Sequence, residues 1–126
     1  MKNVKKIIFI AGGGTGGHLF PALSIGDELQ KKGINIIYIG SKYGIEKKFF
    51  NGKNVKYILL NIKGIQRGKN INSLIKNLTF PINFFFSYFH SIILVIQHKP
   101  IAIIGTGGYS SGMPLLAGIT LRTKTF

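Results

Sequence analysis

Two glycine-rich segments of the 126-residue chain share one pattern, because residues 14–18 read GTGGH and residues 105–109 read GTGGY. Each segment follows an apolar, β-branched run and precedes a helical pattern. Successive glycines let backbone N–H groups turn toward a ligand, and the helix N-terminus behind them adds about half a positive charge. The pair predicts two anion-binding loops that share a diphosphate, or hold one phosphate and a sugar hydroxyl through Thr15 or Thr106. The alternative is that the glycines only make tight turns between strand and helix.

His18 lies at the end of the first loop, where a helix is predicted to begin. A histidine there can remove a proton from a hydroxyl near pH 7, which a sugar acceptor requires when it attacks an anomeric carbon. The alternative role is a hydrogen bond to a loop carbonyl or to a ligand phosphate. Tyr109 holds the equivalent place in the second loop, and its phenol is better suited to donating a hydrogen bond or stacking on a sugar. His90 and His98 fit surface or helix-capping positions.

A dinucleotide-binding domain is the first competing interpretation, since Gly12, Gly14 and Gly17 have the spacing G-x-G-x-x-G. That motif needs a carboxylate about 20 residues later to hold the ribose hydroxyls. Residues 36–42 read IIYIGSK and contain no acid, although Lys42 leaves a route to a phosphorylated ribose. The tripeptide Gly-Lys-Ser or Gly-Lys-Thr that a P-loop needs does not follow the loop, so a P-loop is not indicated. No cofactor is predicted.

Composition limits the chemistry further. The length fits one domain of roughly 100–200 residues, and a hydrophobic content of 45% predicts a folded chain. The chain has no Cys and only three acids, Asp27, Glu28 and Glu46, which argues against thiolate chemistry, paired carboxylates and an oxygen-rich metal site. The net charge of +14 attracts polyanions, but 15 Lys and 22 Ile beside two Arg also fit AT-rich coding. A recognition helix and a stacking motif for nucleic acid are both missing, so no nucleic-acid partner is predicted.

Two apolar segments imitate targeting signals. Residues 7–11 follow the segment MKNVKK with its three lysines, but five apolar residues fall short of the roughly 7–15 that a signal peptide needs. Residues 77–97 carry no charged side chain and are long enough to span a bilayer, yet Pro81, Asn83 and His90 make insertion costly. A crossover helix is favoured for this segment, and a helix that touches a membrane surface and a true span stay open as alternatives.

The remaining pattern alternates apolar runs with helical periodicity and breaks at glycines. Strands are predicted at 5–11, 35–39, 55–62 and 101–104, with 120–126 opening another strand. Helices are predicted at 20–32, at 45–50, from 71 to 98 with a break near Pro81, and from about 113, and loops at 12–17, at 63–70 with many cations, and at 105–112. This order predicts an α/β fold with a doubly wound, Rossmann-like parallel sheet. Ligands bind such sheets beyond the carboxyl ends of the strands, where both glycine loops fall.

These motifs resemble the MurG family of N-acetylglucosaminyltransferases. The resemblance covers essentially the whole chain. It rests on residues 11–23 (AGGGTGGHLFPAL), residues 105–112 (GTGGYSSG), Gly40 and Ser41 with Glu46, residues 64–69 (GIQRGK) and Lys99-Pro100. It implies that residues 1–126 are the amino-terminal, acceptor-side half of a GT-B glycosyltransferase without its carboxy-terminal donor domain. The family's next motif, His-Glu-Gln-Asn, would begin directly after Phe126, so the isolated chain is expected to be inactive.

The implied reaction belongs to peptidoglycan synthesis. It moves N-acetylglucosamine from UDP-N-acetylglucosamine to the 4-hydroxyl of the muramoyl pentapeptide on undecaprenyl diphosphate, with inversion and without an obligatory metal. The resemblance makes His18 the candidate general base. It assigns substrate contacts to Thr15, Gly16, Gly17, Gly107, Gly108, Tyr109 and Ser111. A non-catalytic, membrane-recruiting subunit of a two-chain sugar transferase is the alternative.

The family is peripheral to the cytoplasmic face of the bacterial inner membrane, and the resemblance implies an anionic membrane surface as a partner. The predicted membrane-facing residues are Lys69, Ile71, Leu74, Ile75 and Leu78, with Phe80 and Phe84 beyond them and Lys63, Arg67 and Lys76 around them. The alternative is that these apolar side chains belong to an ordinary core.

Overall fold

The fold is a parallel sheet, and its strands are the continuous apolar runs of the sequence. The computed structural model describes residues 4–62, 71–78 and 80–126. The strands are β1 (Ile7–Gly12), β2 (Asn35–Ser41), β3 (Tyr57–Leu60), β4 (Ala102–Gly107) and β5 (Lys124–Thr125). They lie in the order β3-β2-β1-β4-β5, and every neighbouring pair is parallel. The predicted doubly wound α/β sheet is confirmed.

In the described ranges of the chain, five helices connect and cover the strands. They are α1 (Gly16–Lys31), α2 (Glu46–Phe50), α3 (Ile71–Leu78), α4 (Phe80–His98) and α5 (Tyr109–Thr120). Alternate residues of one strand enter different cores, because successive side chains point to opposite faces of a sheet. Phe9 of β1 packs in the cluster that includes Leu94 of α4, whereas Ile10 packs in the cluster that includes Leu19 of α1. Burial on both faces explains why the strands are apolar without interruption.

The strand order reverses at β1, which pairs with β2 on one side and β4 on the other. The register between β1 and β4 shifts at the carboxyl end, where Ala11 pairs with Gly105 but Gly12 pairs with Gly107. Thr106 is therefore an extra residue on β4 at this point, as in a β-bulge. The shift lies where both predicted glycine loops leave the sheet, at the switch point that binds ligands in this class of fold.

Helices α1 and α5 begin earlier than the sequence indicated. Helix starts were predicted at residue 20 and at about residue 113, next to Pro21 and Pro114. Instead, α1 begins at Gly16 and α5 at Tyr109, so that each proline lies in the second turn. The predicted loop at 105–112 is wrong on this point, because β4 runs to Gly107 and α5 starts two residues later. A proline has no N–H, so Pro21 and Pro114 each remove one hydrogen bond from the helix that contains them.

The other boundaries follow the prediction more closely. The long helical segment is described as α3 up to Leu78 and as α4 from Phe80, and residue 79, close to the break expected near Pro81, lies outside the described residues. The strand expected in the last residues is present as β5. The cation-rich segment 63–70 lies outside the described residues. Within the described part of the chain, no helix combines the length and the hydropathy that crossing a bilayer demands.

The contact between α1 and β2 is tight at one glycine. Gly26 of α1 is buried, and a Cβ added there would lie 2.0 Å from the Tyr38 hydroxyl oxygen. The Tyr38 ring cannot easily move away, because it is buried and stacks on Phe50 with 5.4 Å between ring centroids. Burial raises the pKa of the Tyr38 phenol, and the charge of Asp27 acts in the same direction.

We expect Gly26→Ala to destabilise the chain by about 1–3 kcal/mol, although alanine is normally the better helix residue, since the added methyl overpacks against Tyr38. In a Tyr38→Phe background the same substitution should cost less, because the hydroxyl oxygen is gone. Urea unfolding of the four chains measures both costs. Equal costs in the two backgrounds would show that the hydroxyl is not the obstacle.

Candidate functional site

The two glycine loops meet at the carboxyl ends of β1 and β4, and His18 joins them. Its ring Nδ1 lies 3.2 Å from the backbone oxygen of Thr106. In return, the Thr106 hydroxyl donates a hydrogen bond to the backbone oxygen of His18, at 2.7 Å. Two reciprocal contacts between residues 88 positions apart thus connect the end of β4 to the first turn of α1.

These contacts define which ring nitrogen of His18 has no hydrogen-bond partner among the residues that the structure describes. A carbonyl oxygen can only accept, so the hydrogen bond to Thr106 requires a proton on Nδ1 of His18. In the neutral ring, Nε2 then carries the lone pair and can accept a proton from another group. The same arrangement of a ring held through one nitrogen and reactive at the other is what a general base needs. The contact is also the hydrogen bond from His18 to a loop carbonyl that was predicted as part of the alternative role.

The glycines of the second loop make room for this ring. A Cβ added at Gly107 would lie 2.5 Å from His18 Nδ1, and one added at Gly108 would lie 2.4 Å from the backbone oxygen of Gly13. Both glycines also have positive φ, +111° and +80°, which other residues rarely adopt. Gly107 and Gly108 therefore allow the close approach of the two loops as well as the turn itself.

Tyr109 extends the contact from the second loop back to the first. It is the first residue of α5, and a Cβ added at Gly14 would lie 2.9 Å from its ring atom Cε1. The phenol thus lies beside the first loop, as the repeat predicts for a side chain at this position. Its contact with substrate stays a prediction.

The predicted substrate contacts differ in exposure. Thr15 and Gly17 are exposed and Gly16 is half-buried, at the start of α1, where the first backbone N–H groups have no acceptor within the helix. Ser111 is only 7% exposed, and its hydroxyl donates to the backbone oxygen of Gly108 at 2.9 Å. Ser111 thus orders the second loop in this structure, and its role as a ligand contact stays a prediction. The Thr106 hydroxyl already donates to His18, so it can serve a ligand only as an acceptor.

Glu46 is a site residue to which the sequence assigned no chemistry. It is fully buried in the first turn of α2, and its Oε1 accepts hydrogen bonds from the backbone N–H of Gly14 (2.9 Å) and Ser41 (3.0 Å). Its Oε2 is buried and finds no hydrogen-bond partner among the described residues. The sequence did contain one indication of such a role, because Glu46 is the one acid outside residues 20–32, the predicted first helix. The other two acids, Asp27 and Glu28, both lie on the exposed side of α1.

The position of Glu46 bears on the dinucleotide interpretation. Its carboxylate lies at the end of β2 beside the first glycine loop, where a ribose-binding acid would be expected. However, the side chain is fully buried and Oε1 already accepts two backbone hydrogen bonds, so it does not face a ribose. No group of three His, Asp or Glu side chains that could hold a metal ion occurs in the described ranges.

The predicted membrane-facing side chains form one exposed helix face. Ile71, Leu74, Ile75 and Leu78 of α3 are 74%, 59%, 56% and 75% exposed. Their spacing of three and four residues places them together on one face of the helix. Because this face is exposed, these side chains are not part of the core of the described structure. The expectation for Phe84 is wrong, because it packs against the core cluster, while Phe85 and Phe86 are exposed instead. Lys63, Arg67 and Lys69 lie outside the described residues, as do the side chains of Lys76 and Phe80.

Comparisons with known proteins agree with this architecture. Residues 8–126 match the glycosyltransferase family 28 N-terminal domain. A UDP-N-acetylglucosamine–N-acetylmuramyl-(pentapeptide) pyrophosphoryl-undecaprenol N-acetylglucosamine transferase of Latilactobacillus sakei is 38% identical over 119 residues, which cover 92% of this chain and 32% of that protein. A relative of the same name from Fusobacterium nucleatum is 35% identical over 127 residues, covering 100% of this chain and 32% of that protein. The chain thus spans about a third of the length of these relatives.

Solved structures give the same result. The crystal structure of Acinetobacter baumannii MurG superimposes with a TM-score of 0.79 at 28% identity, covering 95% of this chain and 34% of that one. The glycosyltransferase SsfS6 of Streptomyces sp. SF2575 has a TM-score of 0.61 at 13% identity over 96% of this chain and 38% of its own, and shares the fold. The resemblance to the MurG family that the glycine motifs indicated is confirmed, and the chain belongs to the family of glycosyltransferase family 28 N-terminal domains.

Proposed function

We propose that the chain is the acceptor-side domain of an enzyme that transfers N-acetylglucosamine from UDP-N-acetylglucosamine to muramoyl-pentapeptide diphosphoryl-undecaprenol. The names of the relatives state this transferase activity, and those relatives are about three times as long as the chain. The observation that carries the proposal is the His18 ring, held through Nδ1 at the meeting point of the two loops with Nε2 available to accept a proton.

The proposed step is an inverting displacement. The 4-hydroxyl oxygen of the muramoyl sugar attacks the anomeric carbon of N-acetylglucosamine, and a new carbon–oxygen bond forms as the bond to the UDP oxygen breaks. His18 Nε2 takes the hydroxyl proton, and UDP leaves with the bonding electron pair. The backbone N–H groups at the starts of α1 and α5 stabilise the acceptor's phosphate charge. The donor nucleotide is held by the part of the relatives that this chain does not span.

A direct test replaces the corresponding third of the Fusobacterium nucleatum relative with residues 1–126 and measures transfer from labelled UDP-N-acetylglucosamine to the lipid acceptor. Transfer by the fusion supports the proposal, and a folded fusion that binds donor but transfers nothing contradicts it. Mixing the separate chain with the remaining two thirds of the relative tests the two-chain alternative. Activity of the unlinked mixture equal to that of the fusion would favour that alternative.

His18 can be tested as base and as loop contact separately. His18→Ala removes both roles, while in His18→Asn the amide nitrogen can replace Nδ1 in the contact with Thr106 but offers no base. If His18 is the base, both variants of the fusion should lose about a hundredfold or more in kcat, with a much smaller change in the acceptor KM. Near-normal kcat in His18→Asn would show that His18 only connects the loops.

The close approach at Gly107 gives a second prediction. Gly107→Ala places a methyl against the His18 ring at a positive φ, and a displaced base lowers kcat by about a hundredfold even for a shift near 1 Å. Gly112→Ala in α5 is the matched control, since nothing lies within 4 Å of an added Cβ there. The control should be neutral or more stable by up to about 1 kcal/mol. Equal kcat in the two variants would remove the steric argument.

The exposed face of α3 supports a further part of the proposal, which is docking to the anionic cytoplasmic face of the cell membrane. At about 1.5 kcal/mol for each buried leucine, Leu74→Gln with Leu78→Gln should weaken binding to phosphatidylglycerol-containing vesicles about a hundredfold. Ile119→Gln is the control, because Ile119 is 62% exposed on α5 and not on α3. Sedimentation with vesicles measures both. Equal loss in both variants, or tighter binding to neutral phosphatidylcholine vesicles, would contradict the proposed surface.

A further inference from the structure

Glu46 contacts the first glycine loop from its buried side. One of its carboxylate oxygens, Oε1, accepts the N–H of Gly14 from the loop and the N–H of Ser41 from the end of β2. Gly14 has a φ of +84°, which only glycine adopts at little cost, and the Glu46 hydrogen bond holds its N–H in that orientation. The side chain has no exposed surface. The carboxylate is therefore a fixed part of the loop.

The backbone at three glycines lies so close to the Glu46 side chain that no Cβ would fit. An added Cβ would lie 1.8 Å from Glu46 Oε1 at Gly13, 2.7 Å from its Cγ at Gly40 and 1.9 Å from its Oε2 at Gly44. Glycine at these positions thus leaves the space that the Glu46 side chain occupies. The glycines of the second loop differ, because Gly107 and Gly108 provide space for the His18 ring and the Gly13 carbonyl.

The two loops consequently offer different electrostatic environments to an anion. In the first loop, the Gly14 N–H already donates to a carboxylate, and the Glu46 charge lies directly beneath the loop backbone. The charge is not offset through Oε2, which has no partner among the described residues. A like charge at short range in a buried setting is weakly screened and repels a phosphate. At the second loop, Gly107 and Gly108 approach the His18 ring and the Gly13 carbonyl, and neither of these groups is an acid.

We infer that Glu46 is a positioning residue which fixes the first loop through Gly14 and keeps the acceptor's diphosphate away from Gly13 and Gly14. The inference rests on the proposed function and deepens it, since it assigns the two loops to different parts of one substrate. The diphosphate lies against residues 107–111 and the start of α1, and the first loop around Gly13 and Gly14 faces the uncharged sugar.

The test uses the 126-residue chain and inorganic pyrophosphate, followed by the amide signals in NMR spectra. In the natural sequence, pyrophosphate should shift the amides of residues 107–111 and leave the Gly14 and Ser41 amides unchanged. Glu46→Gln keeps an oxygen that can accept both hydrogen bonds but removes the charge, so pyrophosphate should bind about three to ten times more tightly. A purely structural role predicts the reverse, because a loosened loop binds more weakly.

Glu28→Gln is the matched control. It changes the net charge of the chain by the same amount, but Glu28 is exposed and pairs with Lys31 at 2.8 Å. Its pyrophosphate affinity should stay within about twofold of the natural chain. Equal changes in the two variants, or a shift of the Gly14 amide in the natural sequence as large as those in residues 107–111, would overturn the role of Glu46. The shift of the Gly14 amide is measured in the natural sequence, so this result is obtained even if Glu46→Gln does not fold.

The outcomes separate this inference from the proposed function. Pyrophosphate that binds the second loop with no dependence on residue 46 contradicts only the inference. Pyrophosphate that moves no amide in either loop, in any of the three chains, contradicts the proposed function and the inference together.

Discussion

The candidate site depends on one short-range connection across the switch point of the sheet, the reciprocal contact between His18 and Thr106. The strand order brings β1 and β4 together, but adjacent strands alone would leave their loops free to diverge. The two hydrogen bonds draw the loops together, and the register shift at Thr106 turns its carbonyl and hydroxyl toward α1. Gly107 and Gly108 are then required as glycines because the His18 ring and the Gly13 carbonyl occupy the space that side chains would need.

The repeated sequence therefore does not mean repeated chemistry. Both loops read GTGG and both open a helix, yet the first loop has a buried carboxylate below it and the second has an imidazole ring against it. A substrate with a charged diphosphate and an uncharged sugar has two such regions as well. The asymmetry arises from two side chains, Glu46 and His18, which come from outside the loops that they shape.

The sequence predicted those features that depend on local pattern. Continuous β-branched runs gave the parallel sheet, and glycine repeats after β1 and β4 gave the position of the site, because parallel strands end at the same edge. The starts of α1 and α5 were misplaced, since glycines disfavour helices and yet Gly16, Gly17 and Gly112 of the predicted loops lie within these two helices. The face of α4 that carries Phe84 was also misassigned, because helix periodicity does not say which of several adjacent phenylalanines points inward.

Glu46 was not assigned a role because its partner Gly14 is 32 residues away and the hydrogen bonds go to backbone groups, which leave no mark on side-chain pattern. A hydrogen bond from His18 to a loop carbonyl was one of the predicted alternatives, but its partner Thr106 could not be named, because the two residues are 88 positions apart. Both interactions become visible only when the sheet order is known. The sequence could place the chemistry at one edge, but the direction in which each polar group points depends on tertiary contacts.

The position of the proton on the His18 ring is the most direct measure of the contact between His18 and Thr106 that joins the two loops. Nitrogen-15 NMR of the neutral ring should show the proton on Nδ1, protected from rapid exchange by its hydrogen bond to the Thr106 carbonyl, and Nε2 without a proton. A ring protonated at Nε2, or a ring with no slowly exchanging Nδ1 proton, would contradict the connection between the two loops and the assignment of Nε2 as the base.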